Sequence, residues 1–459
     1  MAHGRRLSQS FTLSPDSANF IAIATSPPGD VENWLTLWQS SFARDIIDSR
    51  IVAVDGQTSV EEACDILLSE DISCLAIKSA DNSLSGLFDF SDVNAFLTLA
   101  ATKHTFSAEA VQEKPRVDDI FTAARSGHVP VSIVSNLSDK NPLHTIPYDA
   151  TVISLLEVFA KGTHRVLIKS NSLCAGEEDC IGIVSDRRLL SWFLSFAQQS
   201  EFESLRLYLS NPLCSFSDSL PSLNLYTSVV ATVSTEPVIE AMKLMSEEGV
   251  SNIAVLEEEG GMLLSAVSVT DIGRIVVPSQ SNQILSLSLQ HFISLIKGPD
   301  GSTDGQDRYP VYSVLPTSTM LYTMQKILAT NAHRVFVTQE STLSSPLLSP
   351  MSSGNLTGLV SIVDILSLFA RVANVQDIDP TRMQRHRRAS SVSSQASSKE
   401  SDRSRSSSRT GVRRALNTKI SQTMSGNHKH ASNSSTTASA ASTGAGTIGD
   451  TNRASKSPQ

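Results

Sequence analysis

At 459 residues the chain exceeds the roughly 250 to 300 at which one hydrophobic core stops growing, so more than one module is expected. Apolar residues at 40%, charged residues at 18% and a formal charge of −9 describe an ordinary soluble protein and argue against fibrous and membrane classes. The charge is unevenly placed: residues 381–459 hold 14 Lys and Arg against 3 Asp and Glu, with 20 Ser, which leaves the first 380 residues at −20.

Residues 1–30 show no apolar run behind Arg5 and Arg6, so no secretory leader is expected and the stretch reads as disordered. No run in the chain approaches the eighteen or so apolar residues of a spanning helix. Trp34, Leu35 and Trp38 predict a short helix docking on the body. The five cysteines are an odd number, with Cys64 and Cys74 in apolar stretches, and read as reduced thiols of a cytosolic or nuclear protein. Cys174 and Cys180 lack a second pair or a nearby His, and the ten histidines form no evident ligand cluster, so no metal site is assigned.

From residue 40 a unit recurs four times, at 40–102, 130–199, 222–280 and 305–373. In the first copy Val60, Ala63, Cys64, Leu67 and Leu68 fall on one face of a helix. Two apolar strands, a polar turn and another apolar-striped helix complete a β-α-β-β-α unit of α/β (α+β) class. The helix starts Val60, Val152, Val238 and Met320 lie 92, 86 and 82 residues apart, so insertions fall between motifs and in polar loops. A unit of about 60 residues buries too little surface alone, so the copies should pack together. Even copies carry His164-Arg165 and His333-Arg334 where odd copies carry Ser73-Cys74 and Ser251-Asn252, which predicts two modules, each joining an odd copy to an even one.

Between the last strand and last helix of each unit stand Asp89-Phe-Ser-Asp92, Ser185-Asp-Arg-Arg188, Ser268-Val-Thr-Asp271 and Ser361-Ile-Val-Asp364. A Ser or Asp followed three residues later by an acid is a capping box, suited to the positive end of a helix. Arg188 departs from it, because a cation in the first turn opposes the helix dipole. A carboxylate on such a turn can also accept ribose hydroxyls, at about 1.5–3 kcal/mol per charged hydrogen bond, and an Arg there can meet a phosphate. His164, Arg165, His333 and Arg334 either add anion contacts or are surface charges beside a strand.

The segments GLFDFSD, GIVSDRR, SAVSVTD and GLVSIVD resemble cystathionine-β-synthase (CBS) motifs, and their fourfold recurrence resembles two Bateman modules. The His-Arg pairs and Arg188 are similar to the γ subunit of the AMP-activated protein kinase. That likeness implies Asp92, Asp271 and Asp364 facing ribose, Arg188 marking a variant site, and the His-Arg pairs near phosphates. Ser185, Ser268 and Ser361 complete the implied set, with AMP, ADP or ATP as regulatory ligand and no other cofactor. Ser73-Cys74, the insert STLSSPLLSPMSSGN and the Ser-rich tail differ from a kinase γ subunit.

With the leader NWLTLWQ and the tail, the chain as a whole resembles the fungal Sds family, suppressors of defective protein phosphatase. Membership implies a non-catalytic regulator of cytoplasm and nucleus that restrains type-2A-like phosphatases in cell-cycle progression, cell separation and nutrient stress. Phosphatase catalytic subunits are the implied partners, along with a homodimer through the Bateman modules; the alternative is a γ-type subunit of an AMP-activated-type kinase. No Walker loop, HExxH, GxSxG elbow or kinase set is present, so no catalytic residue is assigned. Arg5-Arg6-Leu7-Ser8 and Arg387-Arg388-Ala389-Ser390 resemble cyclic-AMP-dependent kinase substrates, making Ser8 and Ser390 expected phosphorylation sites. The tail, 376–459, lacks the apolar content to fold, and no aromatic residue accompanies its charges, so import or solvation fits it better than nucleic-acid binding.

Overall fold

A computed structural model describes residues 31–105, 115–171, 179–219, 229–258, 262–279, 282–297, 313–339 and 355–378. The expected disordered leader, the tail beyond 378, and with them Ser8 and Ser390, lie outside the described residues.

A leading helix, α1 (Val31–Ser40), precedes copy 1, which comprises β1 (Ala53–Asp55), α2 (Val60–Ser69), β2 (Cys74–Lys78), β3 (Leu84–Asp89) and α3 (Phe90–Thr102). Helices α4 (Pro115–Ser126) and α5 (Val131–Val134) lead to copy 2: β4 (Thr145–Ile146), α6 (Val152–Phe159), β5 (Arg165–Lys169), β6 (Cys180–Ser185) and α7 (Asp186–Ala197). Helices α8 (Glu203–Leu209) and α9 (Leu213–Ser219) precede copy 3: β7 (Ala231–Val233), α10 (Val238–Glu248), β8 (Asn252–Leu256), β9 (Leu263–Ser268) and α11 (Val269–Ser279). After α12 (Leu289–Lys297), copy 4 comprises β10 (Ser313–Val314), α13 (Met320–Ala329), β11 (Arg334–Gln339), β12 (Asn355–Ser361) and α14 (Ile362–Val372).

Each copy folds on one plan. The first strand pairs parallel to the second, and the second antiparallel to the third. A parallel pair needs a crossover, and the first helix of the unit supplies it. The ladder shifts register at the same point in all four sheets, between Ile77/Lys78, Ile168/Lys169, Val255/Leu256 and Val337/Thr338.

The central strand is buried on both faces, so it reads as a continuous apolar run instead of alternating. In β2, Leu75 and Ile77 point to one core while Cys74 and Ala76 point to another. The sheet faces join odd to even: Cys74, Ala76 and Leu87 meet Leu167, Cys180 and Ile183, and Ala254, Leu256 and Leu263 meet Phe336. These are the two expected modules. The helical faces join the modules crosswise, copy 1 to copy 3 and copy 2 to copy 4, and these seams form the two larger cores. Helix α1 seals the second seam: Trp38 meets Phe193 of copy 2 at 5.0 Å and Phe369 of copy 4 at 5.9 Å between ring centroids. The expected docking helix is thus present.

The segment leading into each copy packs on that copy's module partner. Phe42 bridges to Thr151 of copy 2, Pro130 to Ser59 of copy 1, Pro212 to Thr319 of copy 4 and Ser288 to Pro237 of copy 3. Short helical turns then bury Ala43 and Ile46, Val131 and Val134, Leu213 and Phe216, and Leu289 and Phe292 against the partner. The sequence boundaries at 40 and 130 therefore place Phe42–Ile46 and Pro130–Val134 with copies other than those they pack upon.

Candidate functional site

The four strand-to-helix turns are built as caps. Asp89 caps α3 in a box with Asp92, and Ser361 caps α14 in a box with Asp364. At α11 the backbone N–H and Oγ of Ser268 donate to Asp271 Oδ2 at 2.8 and 2.7 Å, while Asp271 N–H donates back to Ser268 Oγ at 3.2 Å. Asp364 repeats those distances with Ser361. Burial pushes the Asp364 carboxyl up, against the Ser361 hydrogen bonds and the Arg334 charge.

Asp92 is fully buried, and the lead-in to copy 2 closes over it. One oxygen accepts Ser138 N–H at 2.8 Å and Ser138 Oγ–H at 2.7 Å; the other accepts Asn141 Nδ2–H at 3.3 Å. Burial, with Asp89 beside it, pushes the Asp92 carboxyl up to about 7. The acid that the family likeness sets against ribose in copy 1 is committed to the chain itself.

The arginines of the even copies reach into their odd partners. Arg165 donates to Asp89 Oδ2 at 3.1 Å, Asn141 Oδ1 at 3.3 Å and the Ser73 carbonyl at 3.2 Å. Arg334 donates to Ser251 Oγ at 2.8 Å. The Ser residues that alternate with the histidines along the sequence are thus the receptors of these arginines, and the alternation clasps each module.

At copy 2, Ser185 Oγ accepts Arg188 N–H at 3.1 Å and itself donates to Asp48, from the lead-in to copy 1. The Arg188 side chain is exposed. Asp186 is buried and accepts from His164 Nδ1 at 2.8 Å, while its N–H donates to the His164 carbonyl at 3.0 Å. His333 of copy 4 brings its Nδ1 to 3.9 Å from the other Asp186 oxygen, and the two imidazoles stand 5.8 Å apart, edge to face. Burial opposes ionisation of Asp186, but His164, His333 and Arg165 together draw its carboxyl below the usual range. Arg187 holds the carbonyls of Asn331 and Ala332 at 2.8 and 2.9 Å, fixing the chain just before His333.

The structure thus brings His164 and His333 together at the junction of copies 2 and 4, whereas Arg165 reaches into copy 1, where Asn141 links it to Asp92, and Ser185 turns to Asp48 with the Arg188 side chain exposed on the same turn. Ser268 with Asp271, and Ser361 with Asp364, stay at their own turns. His164 and His333, far apart in sequence and in no evident ligand cluster there, lie with Asp186 as three groups whose donor atoms fall within 4.8 Å of one another. Packing of copy 2 on copy 4 produces the cluster. Sequence reading also missed Asp48, Ser138, Asn141, Asp186 and Arg187. A signal existed for Asp186 alone, which stands where the other turns carry the buried apolar residues Phe90, Val269 and Ile362.

Among the described residues no helix is long and apolar enough to cross a membrane. The CBS domain model matches residues 43–98 and 225–277, within copies 1 and 3. Protein MJ1225 of Methanocaldococcus jannaschii, titled a candidate archaeal homologue of γ-AMPK, superposes with a TM-score of 0.50 over 72% of this chain and 99% of its own. At 13% identity that likeness shows the fold alone. Protein SDS23 of Phaeosphaeria nodorum is 28% identical over 85% of this chain and 82% of its own, and protein sds23 of Aspergillus niger 29% identical over 74% of each. Protein SDS23 of Yarrowia lipolytica is 32% identical over 363 residues, which cover 75% of this chain and 69% of the relative. On that kinship, and on four CBS-type units clasped in two modules, the chain belongs to the SDS23 family of CBS-domain proteins.

Proposed function

We propose that the protein is a non-catalytic regulator whose modules bind an adenine nucleotide and which restrains type-2A-like protein phosphatases in cytoplasm and nucleus. Its resemblance to the fungal Sds family supports the phosphatase role and its place in cell-cycle progression, cell separation and nutrient stress. The observation that carries nucleotide binding is the meeting of His164 and His333 at 5.8 Å beside the turn that bears the exposed Arg188. Two imidazole N–H groups beside a turn that carries a guanidinium suit a phosphate, whose charged oxygens accept hydrogen bonds from both kinds of donor.

Ribose contact falls to Asp271 and Asp364, whose capping bonds among the described residues use Oδ2, which makes Oδ1 the atom to accept a hydroxyl. Asp92, with both oxygens engaged, is a structural acid in this reading.

Two measurements test the proposal. Affinity capture of the full chain should recover type-2A-like catalytic subunits; recovery of kinase catalytic subunits in their place would favour a γ-type role. Calorimetry should detect AMP, ADP or ATP, with binding weakened about tenfold by His164→Ala, a loss of about 1.4 kcal/mol. No heat with any of the three at millimolar concentration removes the sensing half of the proposal.

A further inference from the structure

Three groups able to ligate a metal converge from separate stretches of chain: His164 before β5, Asp186 at the start of α7 and His333 before β11. One donor atom from each lies within 4.8 Å of the others. His164 Nδ1 stands 2.8 Å from Asp186 Oδ2, whereas His333 Nδ1 stands 3.9 Å from Asp186 Oδ1, too far for a hydrogen bond. Ligands on a tetrahedral ion with bonds of about 2.0–2.1 Å sit about 3.3 Å apart, between those two separations. With the widest donor separation at most 4.8 Å, side-chain rotations of about an ångström, with His164 Nδ1 giving up the proton it shares with Asp186, bring one donor from each residue onto one ion.

The surroundings are those of a built site. Asp186 is 1% exposed, and a carboxylate taken so far from water needs compensating charge. It occupies the position that Phe90, Val269 and Ile362 fill with apolar bulk, so packing alone does not call for an acid there. Its ring partner is held by the Asp186 N–H to His164 carbonyl bond, and Arg187 fixes the backbone before His333. The His333 side chain is 46% exposed, which leaves one side of the cluster open to water.

We propose that His164, Asp186 and His333 bind one divalent transition-metal ion of zinc-like preference, with water completing its shell. Two imidazoles and one carboxylate suit zinc and its first-row neighbours, whereas magnesium and calcium prefer all-oxygen sites. Since His164 and Asp186 belong to copy 2 and His333 to copy 4, the ion pins one module to the other. It also adds positive charge to the opening that faces phosphate in the proposed function, without depending on that function.

The test uses the full-length chain, stripped with chelator and free of nucleotide. Zn²⁺ titrated by calorimetry should bind at one equivalent, and Co²⁺ in its place should give visible ligand-field absorption. His333→Ala, a truncation at a half-exposed position, should keep the wild-type urea midpoint in the metal-free state, weaken Zn²⁺ binding at least about tenfold and abolish the Co²⁺ spectrum. His333→Cys, which supplies a thiolate ligand, should restore binding. The tail variant His428→Ala/His430→Ala should behave as wild type. No Zn²⁺ binding by the wild type, equal affinity in wild type and His333→Ala, or loss of binding in the tail variant would each overturn the assignment.

Discussion

Asp92 is a fully buried carboxylate beside a second carboxylate, Asp89, and it accepts from Asp89 N–H, Ser138 N–H, Ser138 Oγ–H and Asn141 Nδ2–H. The four donors favour the charged form, but burial and Asp89 outweigh them and push the carboxyl up to about 7. Raised above its unfolded value, this acid holds its proton in the fold while the unfolded chain has released it. Its contribution to stability is therefore full below about pH 4, falls as pH rises toward about 7, and is level above that. One proton sets a slope of at most about 1.4 kcal/mol per pH unit. Asp92→Asn keeps the side chain's shape without a charge, so the difference in urea midpoint between variant and wild type should grow from about pH 4 to about pH 7. A difference that does not change with pH would show that Asp92 is not the titrating group.

At the scale of elements, α1 shows how a ten-residue helix, too short to persist alone, is held by two side chains. Trp38 packs across both Phe193 of α7 and Phe369 of α14, which themselves stack at 4.1 Å, so one indole spans the seam between copies 2 and 4. Trp38→Ala should lower unfolding free energy by about 3–5 kcal/mol through the cavity it leaves. Leu37→Ala, at an exposed position on the same helix, should change it by less than about 0.5 kcal/mol. Chemical denaturation of the two variants checks the pair, and equal effects would mean that α1 contributes by propensity and not by docking. This helix was legible because two Trp residues four apart in a polar stretch have few uses other than burial. The capping boxes were legible for a similar reason, since Ser268, Asp271, Ser361 and Asp364 satisfy local amides whatever lies around them. The exchanged lead-ins were not, because bridges such as Ser59 to Pro130 run between backbones and leave no side-chain pattern. The His164–Asp186–His333 cluster was hidden in the same way, since it exists only once copy 2 meets copy 4.

At the scale of the molecule, the four copies form a closed square of contacts. Each buries its sheet face against one neighbour and its helical face against another, and each module also swaps its lead-in segments internally. The repeat and the odd–even alternation disclosed the sheet-to-sheet modules, because Arg165 and Arg334 answer Ser73 and Ser251. The crosswise seams carry most of the core, yet their apolar helix faces read the same whichever copy they meet. This architecture has a consequence for fragments. A chain cut to residues 31–219 keeps the first module and α1 but loses copies 3 and 4, against which Val93, Phe90, Phe193 and Leu189 are packed. The exposed helical faces would form apolar patches well beyond the few hundred square ångströms usual on a monomer. A second copy of the fragment offers equivalent faces, so self-association is the available way to cover them. Light scattering should therefore find the fragment dimeric at concentrations where the full chain shows no such association through these faces. A folded, monomeric fragment of undiminished stability would mean that the crosswise seams contribute little, and that the two modules fold as separate bodies.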